Sequence, residues 1–173
     1  MTPKHRFRPS VDDALESRIA LSHAGGVAEV AAQATALSIT VHGTSRTTLP
    51  NAPGSPEFVV LNGSTRIRGL GNVKFQGVFG TNASLPGATT TGSAQATLRG
   101  RVGGTLAADF AGPTTDLAPR TATTTPFNFH VVTASGAFSS LAGTDGTAAL
   151  TLRSGPAHRG VARGQFTLTL SEG

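Results

Sequence analysis

From residue 37 onward, apolar and polar side chains alternate with a period of two, in eight short runs separated by glycine and proline. Residues 93–102 and 106–111 show the pattern most fully. Ala94, Ala96, Leu98, Gly100 and Val102 fall on one side, and Gln95, Thr97, Arg99 and Arg101 on the other, while Leu106, Ala108 and Phe110 repeat the apolar side. This is the period of a half-buried strand, whose successive side chains point to opposite faces. A three-residue loop of Gly103, Gly104 and Thr105 would pair Val102 with Leu106 and Leu98 with Phe110, and would set Arg99 opposite Asp109 on the wet face.

The other runs are 37–43, 58–68, 72–80, 126–133, 147–153 and 161–170. Leu37, Ile39 and Val41 form one dry side, as do Val73, Phe75 and Phe79, then Phe127, Phe129 and Val131, then Ala148, Leu150 and Leu152, and last Phe166, Leu168 and Leu170. Eight consecutive strands with short connections and no crossover helix predict an all-β domain over residues 37–173. Its expected form is an eight-stranded antiparallel up-and-down β-barrel, with a β-sandwich as the alternative. The longest connections, 49–57, 81–92 and 112–125, are rich in Thr, Pro and Gly and are expected to be mobile. Ahead of the barrel, residues 1–36 read as a separate N-terminal unit. A basic tail leads to Ser10 as a helix N-cap, Val11, Leu15 and Ile19 line one face of a short helix to Ser22, and an Ala-rich linker follows Gly25 and Gly26.

Composition narrows the chemistry. The chain has no Cys, Trp or Tyr, nine Phe and 22 Gly among 173 residues. Disulfides, thiolate metal sites and cysteine nucleophiles are thereby excluded. The net charge of +5 comes from 14 basic and nine acidic residues, with the whole excess beyond Val30. It favours solubility and weak attraction to anionic polymers. Nucleic acid is not the expected partner, because the outward positions lack the aromatics that stack on bases. No apolar run approaches the roughly 20 residues of a membrane-spanning helix.

Residues 14–22, Ala-Leu-Glu-Ser-Arg-Ile-Ala-Leu-Ser, follow the basic stretch Arg6-Phe7-Arg8-Pro9-Ser10. Leu15, Glu16, Arg18, Leu21 and Ser22 resemble the Leu-Glu-x-Arg-x-x-Leu-Ser sorting segment at the N-terminus of many bacterial surface and exported proteins. The resemblance implies export or cell-surface sorting, and otherwise a cytoplasmic protein is expected. An ordinary amphipathic helix would carry the same pattern. A standard secretory signal fits less well, since Asp12, Asp13, Glu16 and Arg18 interrupt its apolar region.

Residues 133–147, Thr-Ala-Ser-Gly-Ala-Phe-Ser-Ser-Leu-Ala-Gly-Thr-Asp-Gly-Thr, resemble the glycine-rich turn of β-barrels similar to allene oxide cyclases and dirigent proteins, although Ala134 and Ser135 replace a Gly-Thr pair and Leu141 precedes Ala142. Gly69-Leu70-Gly71-Asn72-Val73 resembles an earlier strand entry in bacterial relatives of that group. The resemblance implies an eight-stranded barrel with a central cavity and brings no active site. Independently of it, Gly136, Gly143 and Gly146 permit tight or positive-φ backbone, and Phe138 between them suits a plug for the barrel end.

Candidate catalytic groups are sparse. His5, His23, His42, His130 and His158 are widely spaced, and His42 and His130 fall on outward faces, so no metal site or cofactor is expected. Ser135 or Ser139 could join His130 and Asp145 on paper, but no Gly-x-Ser-x-Gly elbow is present. Gly69-Leu70-Gly71 lacks the third glycine of a dinucleotide fingerprint. Glu57, Asp109, Asp116, Asp145 and Glu172 are expected in loops, at the terminus or outside, away from any carboxylate pair of the glycosidase type. Arg66, Arg68, Arg99 and Arg101 point outward and form either a solvated face or a stripe for an acidic cell-envelope polymer. The resulting expectation is a non-enzymatic exported or cell-surface barrel with a structural or interaction role, its partners being envelope polymers or other surface proteins. The alternative is a binder or isomerase of a small apolar ligand, its cavity lined by Leu98, Phe110, Phe129 and Leu150.

Overall fold

The computed structural model describes residues 39–52, 55–81 and 87–172. Leu37 and the N-terminal unit, with Leu15, Glu16, Arg18, Leu21 and Ser22, lie outside the described residues. The strands are β1 (Ile39–Thr48), β2 (Glu57–Ile67), β3 (Gly71–Thr81), β4 (Thr89–Leu98), β5 (Gly104–Pro113), β6 (Thr123–Ala134), β7 (Asp145–Ser154) and β8 (Val161–Glu172), with a 3₁₀ helix, Gly136–Leu141, between β6 and β7. Each strand pairs antiparallel with the next, and β1 pairs with β8, so the sheet closes into a barrel in sequence order. The connections after β2, β4 and β6 share one end, called here the upper end.

Alternation places the inner wall as the sequence pattern predicts. Val41, Val59, Leu61, Val73, Phe75, Phe79, Leu150 and Leu168 are all buried, while Lys74, Gln76 and Arg46 face solvent. An eight-stranded barrel is just wide enough for side chains to fill, so large residues need small ones beside them. Here the small partner is glycine. Phe79 stands opposite Gly92 across β3 and β4, Phe129 opposite Gly146 across β6 and β7, and Phe166 opposite Gly43 across β8 and β1. A Cβ on Gly92 would lie 2.4 Å from the Phe79 ring, and one on Gly146 2.6 Å from that of Phe129. Each ring occupies the space its glycine leaves. The rings also meet one another, Phe79 lying 5.2 Å from Phe110 and 5.4 Å from Phe127 between centroids, a separation typical of attractive aromatic pairs.

This matching corrects the expected pairing of β4 with β5. Gly92, not Leu98, stands opposite Phe110, Ala96 faces Leu106, and Ser93, not Arg99, faces Asp109. With Gly92 at that position, the Phe79 ring from β3 lies over the glycine and meets Phe110 at 5.2 Å between centroids. The turn is correspondingly longer, spanning Arg99–Gly103, with Gly100 at φ 142° and Gly103 at φ 52°, conformations that glycine adopts without a Cβ clash. Val102 therefore sits in the turn, 49% exposed, and not on the inner face. The offset from the expected pairing is an even number of residues, so Leu98 and Phe110 still face the same interior, at 3% and 4% exposure.

A bulge on β6 is the other irregularity. Ala107 pairs with Thr133 and Ala108 with Val131, leaving Val132 as the extra residue. Val132 and Thr133 both face outward in consequence. The 112–125 connection departs from expectation as well. Its Leu117 is fully buried and joins the main apolar cluster. Thr47 donates its hydroxyl hydrogen to the Leu117 carbonyl at 2.7 Å, and the Ser154 N–H donates to the Pro119 carbonyl at 2.7 Å. The loop thus closes the lower end of the barrel.

Candidate functional site

The buried apolar residues divide into two clusters. The larger one, from Val41 through Phe166, fills the middle and bottom of the barrel, and a smaller one of Val73, Leu98, Ala137 and Phe138 closes the top. Between them lies a cavity of about 90 Å³, bounded below by Phe75, Ala108 and Phe110, laterally by Val41, Phe129 and Val131, and above by Ile67, Phe138 and Leu141. Thr65, Gln95 and Thr144 are the polar residues among its lining. A buried water needs two to four polar partners, so a space of this composition favours an apolar occupant.

The lid over this cavity is the 3₁₀ helix. With three residues per turn, positions i and i+3 fall on one side, and the sequence places Phe138 and Leu141 at that spacing, both against the cavity. Gly136 (φ 59°) opens the helix and Gly143 (φ 77°) follows its C-cap. A Cβ at Gly136 would lie 2.4 Å from the Gly103 carbonyl oxygen, so only glycine fits that position. The lid is tied to the β4–β5 turn by the Ala137 N–H, which donates to the Gly103 carbonyl at 3.0 Å, and to β5 by the Ser135 and Thr105 hydroxyls at 2.8 Å. Gly146 keeps ordinary backbone and instead seats the Phe129 ring.

Of the four residues expected to line a cavity, Phe110 and Phe129 do so. Leu98 is instead buried in the lid cluster and Leu150, on β7, in the main core deeper in the barrel, so neither is among its lining. Phe138 is 2% exposed at the barrel end. Pattern reading missed Leu141 and Ala108 as lining residues. The i, i+3 spacing in residues 136–141 was the available signal for Leu141.

The paper arrangement of serine, histidine and aspartate comes only part way together. His130 Nδ1 lies 2.9 Å from Asp145 Oδ1, directly across β6 and β7, but the two side chains are 54% and 81% exposed. Ser135 is bonded to Thr105, and Ser139 is exposed. No serine is hydrogen-bonded to His130 among the described residues, so the pair is an outer-face cross-strand contact. His42 likewise points outward and meets Thr167 at 3.0 Å. No group of three metal-ligating side chains occurs among the described residues.

Glu57 departs from its expected loop position. It opens β2 with a half-buried side chain, and burial, aided by the Asp116 charge, pushes its carboxyl above the ordinary range against the lowering effect of the Leu117 N–H. Its Oε1 is buried without a partner, and Leu117 fills the barrel end beside it. The fold favours the protonated form. The stability Glu57 contributes is therefore present at acid pH and lost as pH rises through its folded-state pKa. Glu57→Gln is expected to stabilise the fold at neutral pH by less than about 1 kcal/mol, because solvent screens the half-exposed group, and the gain is read as a raised thermal midpoint. The gain should vanish on acidification, and a gain that grew there would contradict the assignment.

No family model, curated protein or solved structure matches this chain. The resemblance to allene oxide cyclase barrels thus rests on the sequence alone, and function has to be argued from the cavity.

Proposed function

We propose that the barrel binds a small apolar molecule in the cavity beneath Phe138 and performs no chemistry on it. The observation that carries this reading is the apolar gap between two packed clusters, roofed by a lid between two positive-φ glycines. Catalysis requires donors, acids or bases convergent on a bound atom, and the lining offers aliphatic and aromatic side chains with Thr65, Gln95 and Thr144 alone as polar company. At about 90 Å³ the space is smaller than the roughly 150 Å³ engineered cavity that admits benzene. Occupants of that size or larger require Phe138 to shift. Export remains a proposal from the sequence, carried by Leu15, Glu16, Arg18, Leu21 and Ser22, and fractionation of native cells with N-terminal sequencing tests it.

Toluene titration followed by NMR chemical shifts tests the cavity. The expected result is saturable shifts confined to residues around Ala108, Phe110 and Phe138. Ala108→Leu grows into the space from a buried wall position and is expected to weaken toluene binding at least tenfold, while stability is held or raised by up to about 1 kcal/mol. Toluene shifts that are absent, or that survive Ala108→Leu unchanged, dispose of the cavity reading.

A further inference from the structure

We infer that the upper end of the barrel is a docking face for an anionic lipid bilayer, and that it presents the lidded cavity to the membrane. Five cations gather there. Arg66 and Arg68 flank Ile67 at the β2–β3 turn, Arg99 and Arg101 occupy the β4–β5 turn, and Lys74 lies on β3 between those two turns. The pairings bring them together, since Arg66 stands opposite Asn72, Lys74 opposite Thr97, and Arg99 follows two residues beyond Thr97. All five are exposed, and none forms an ion pair among the described residues. Three acidic residues among the described ones lie toward this end: Asp145 is taken up by His130, Asp109 stands opposite His130 on β5, and Glu172 ends β8 opposite Gly146. None of the three is on β2, β3 or the two cationic turns. The lower end is not segregated in this way, since Glu57 and Asp116 stand there among Arg120, Arg159 and Arg163.

Charge alone would suit any polyanion. Two further features favour a bilayer. Val102, 49% exposed at the tip of the β4–β5 turn, puts an apolar side chain among the arginines, and Leu70 does the same, half-buried, in the β2–β3 turn. A lipid interface accepts cations and apolar tips together, whereas a soluble polyanion offers the tips nothing. The cavity roof of Phe138 and Leu141 also lies at this end, so an apolar occupant could exchange with hydrocarbon without crossing water. This delivery role rests on the cavity reading, while the docking face stands on the cations and Val102.

Co-sedimentation of the full chain with phosphatidylcholine vesicles, with and without a third of phosphatidylglycerol, tests the face. The expected result is capture by the anionic vesicles only, reversed by high salt. The combined Arg66→Gln, Arg68→Gln, Arg99→Gln and Arg101→Gln variant is expected to partition on the order of 100-fold more weakly, and Val102→Asp several-fold more weakly. All five positions are exposed, and an unchanged thermal midpoint verifies folding. Equal capture by neutral vesicles, or undiminished capture of the quadruple variant, overturns the proposal. Dextran sulfate binding that matches vesicle binding and ignores Val102→Asp also overturns it, in favour of an acidic polymer. None of the substituted residues lines the cavity, so retained toluene shifts in the quadruple variant isolate the loss to the face. A wild type that docks but takes up no toluene overturns the delivery role alone.

Discussion

Phe79→Ala is expected to lower the unfolding free energy by about 3–5 kcal/mol, the range for deleting a fully buried ring, measured by urea denaturation. Phe79 is fully buried, touches Phe110 and Phe127, and lies over Gly92. Neighbouring rings cannot collapse into the hole, because glycines already set their positions and the closed sheet holds its diameter. Phe58→Ala supplies the comparison. That ring lies outside over Gly80 at 46% exposure, and its loss is expected to cost under about 1 kcal/mol. Equal costs for the two would show that the rings do not differ in packing as described.

Gly43→Val should damage the fold as severely by the opposite route. A Cβ there would lie 2.2 Å from the Asn62 carbonyl oxygen and 2.6 Å from the Phe166 ring, so strand β2 and the ring would both have to move. A cost of about 3 kcal/mol, the upper end of the overpacking range, is expected. Gly155→Ala meets only the Arg163 carbonyl at 3.4 Å and should be near neutral. If both variants unfold at the wild-type denaturant concentration, β1 and β2 do not approach as closely as they do here.

The contrast between these variants reflects what pattern reading could supply. Which side of each strand faces inward was legible, because alternation records it directly, as at Val73, Phe75 and Phe79. The pairing between strands was not, since it depends on which glycine receives which ring and on how many residues a turn consumes. Gly92 beneath Phe110 is a fact about two strands, invisible within either. Leu117 was missed for a related reason. A lone apolar residue in a Thr- and Pro-rich connection shows no period, and its burial is evident only once the barrel end that it fills exists. Glu57 was similarly misplaced, by a strand boundary one residue too late. At the site, the glycines and Phe138 of the lid were readable from local turn chemistry, but the cavity wall at Ala108 required eight strands to be assembled.

The continuous pairing from Ile39 with Leu170 to Thr48 with Val161 also limits how this molecule can be recognised. Every described strand already has hydrogen-bonded neighbours on both sides, so no unsatisfied row of amides and carbonyls is available to template an incoming extended peptide. Partners must read side chains, either on the outer wall or at the two ends. Recognition by backbone addition would first require a seam to be unzipped, at the cost of the interior that the closure encloses.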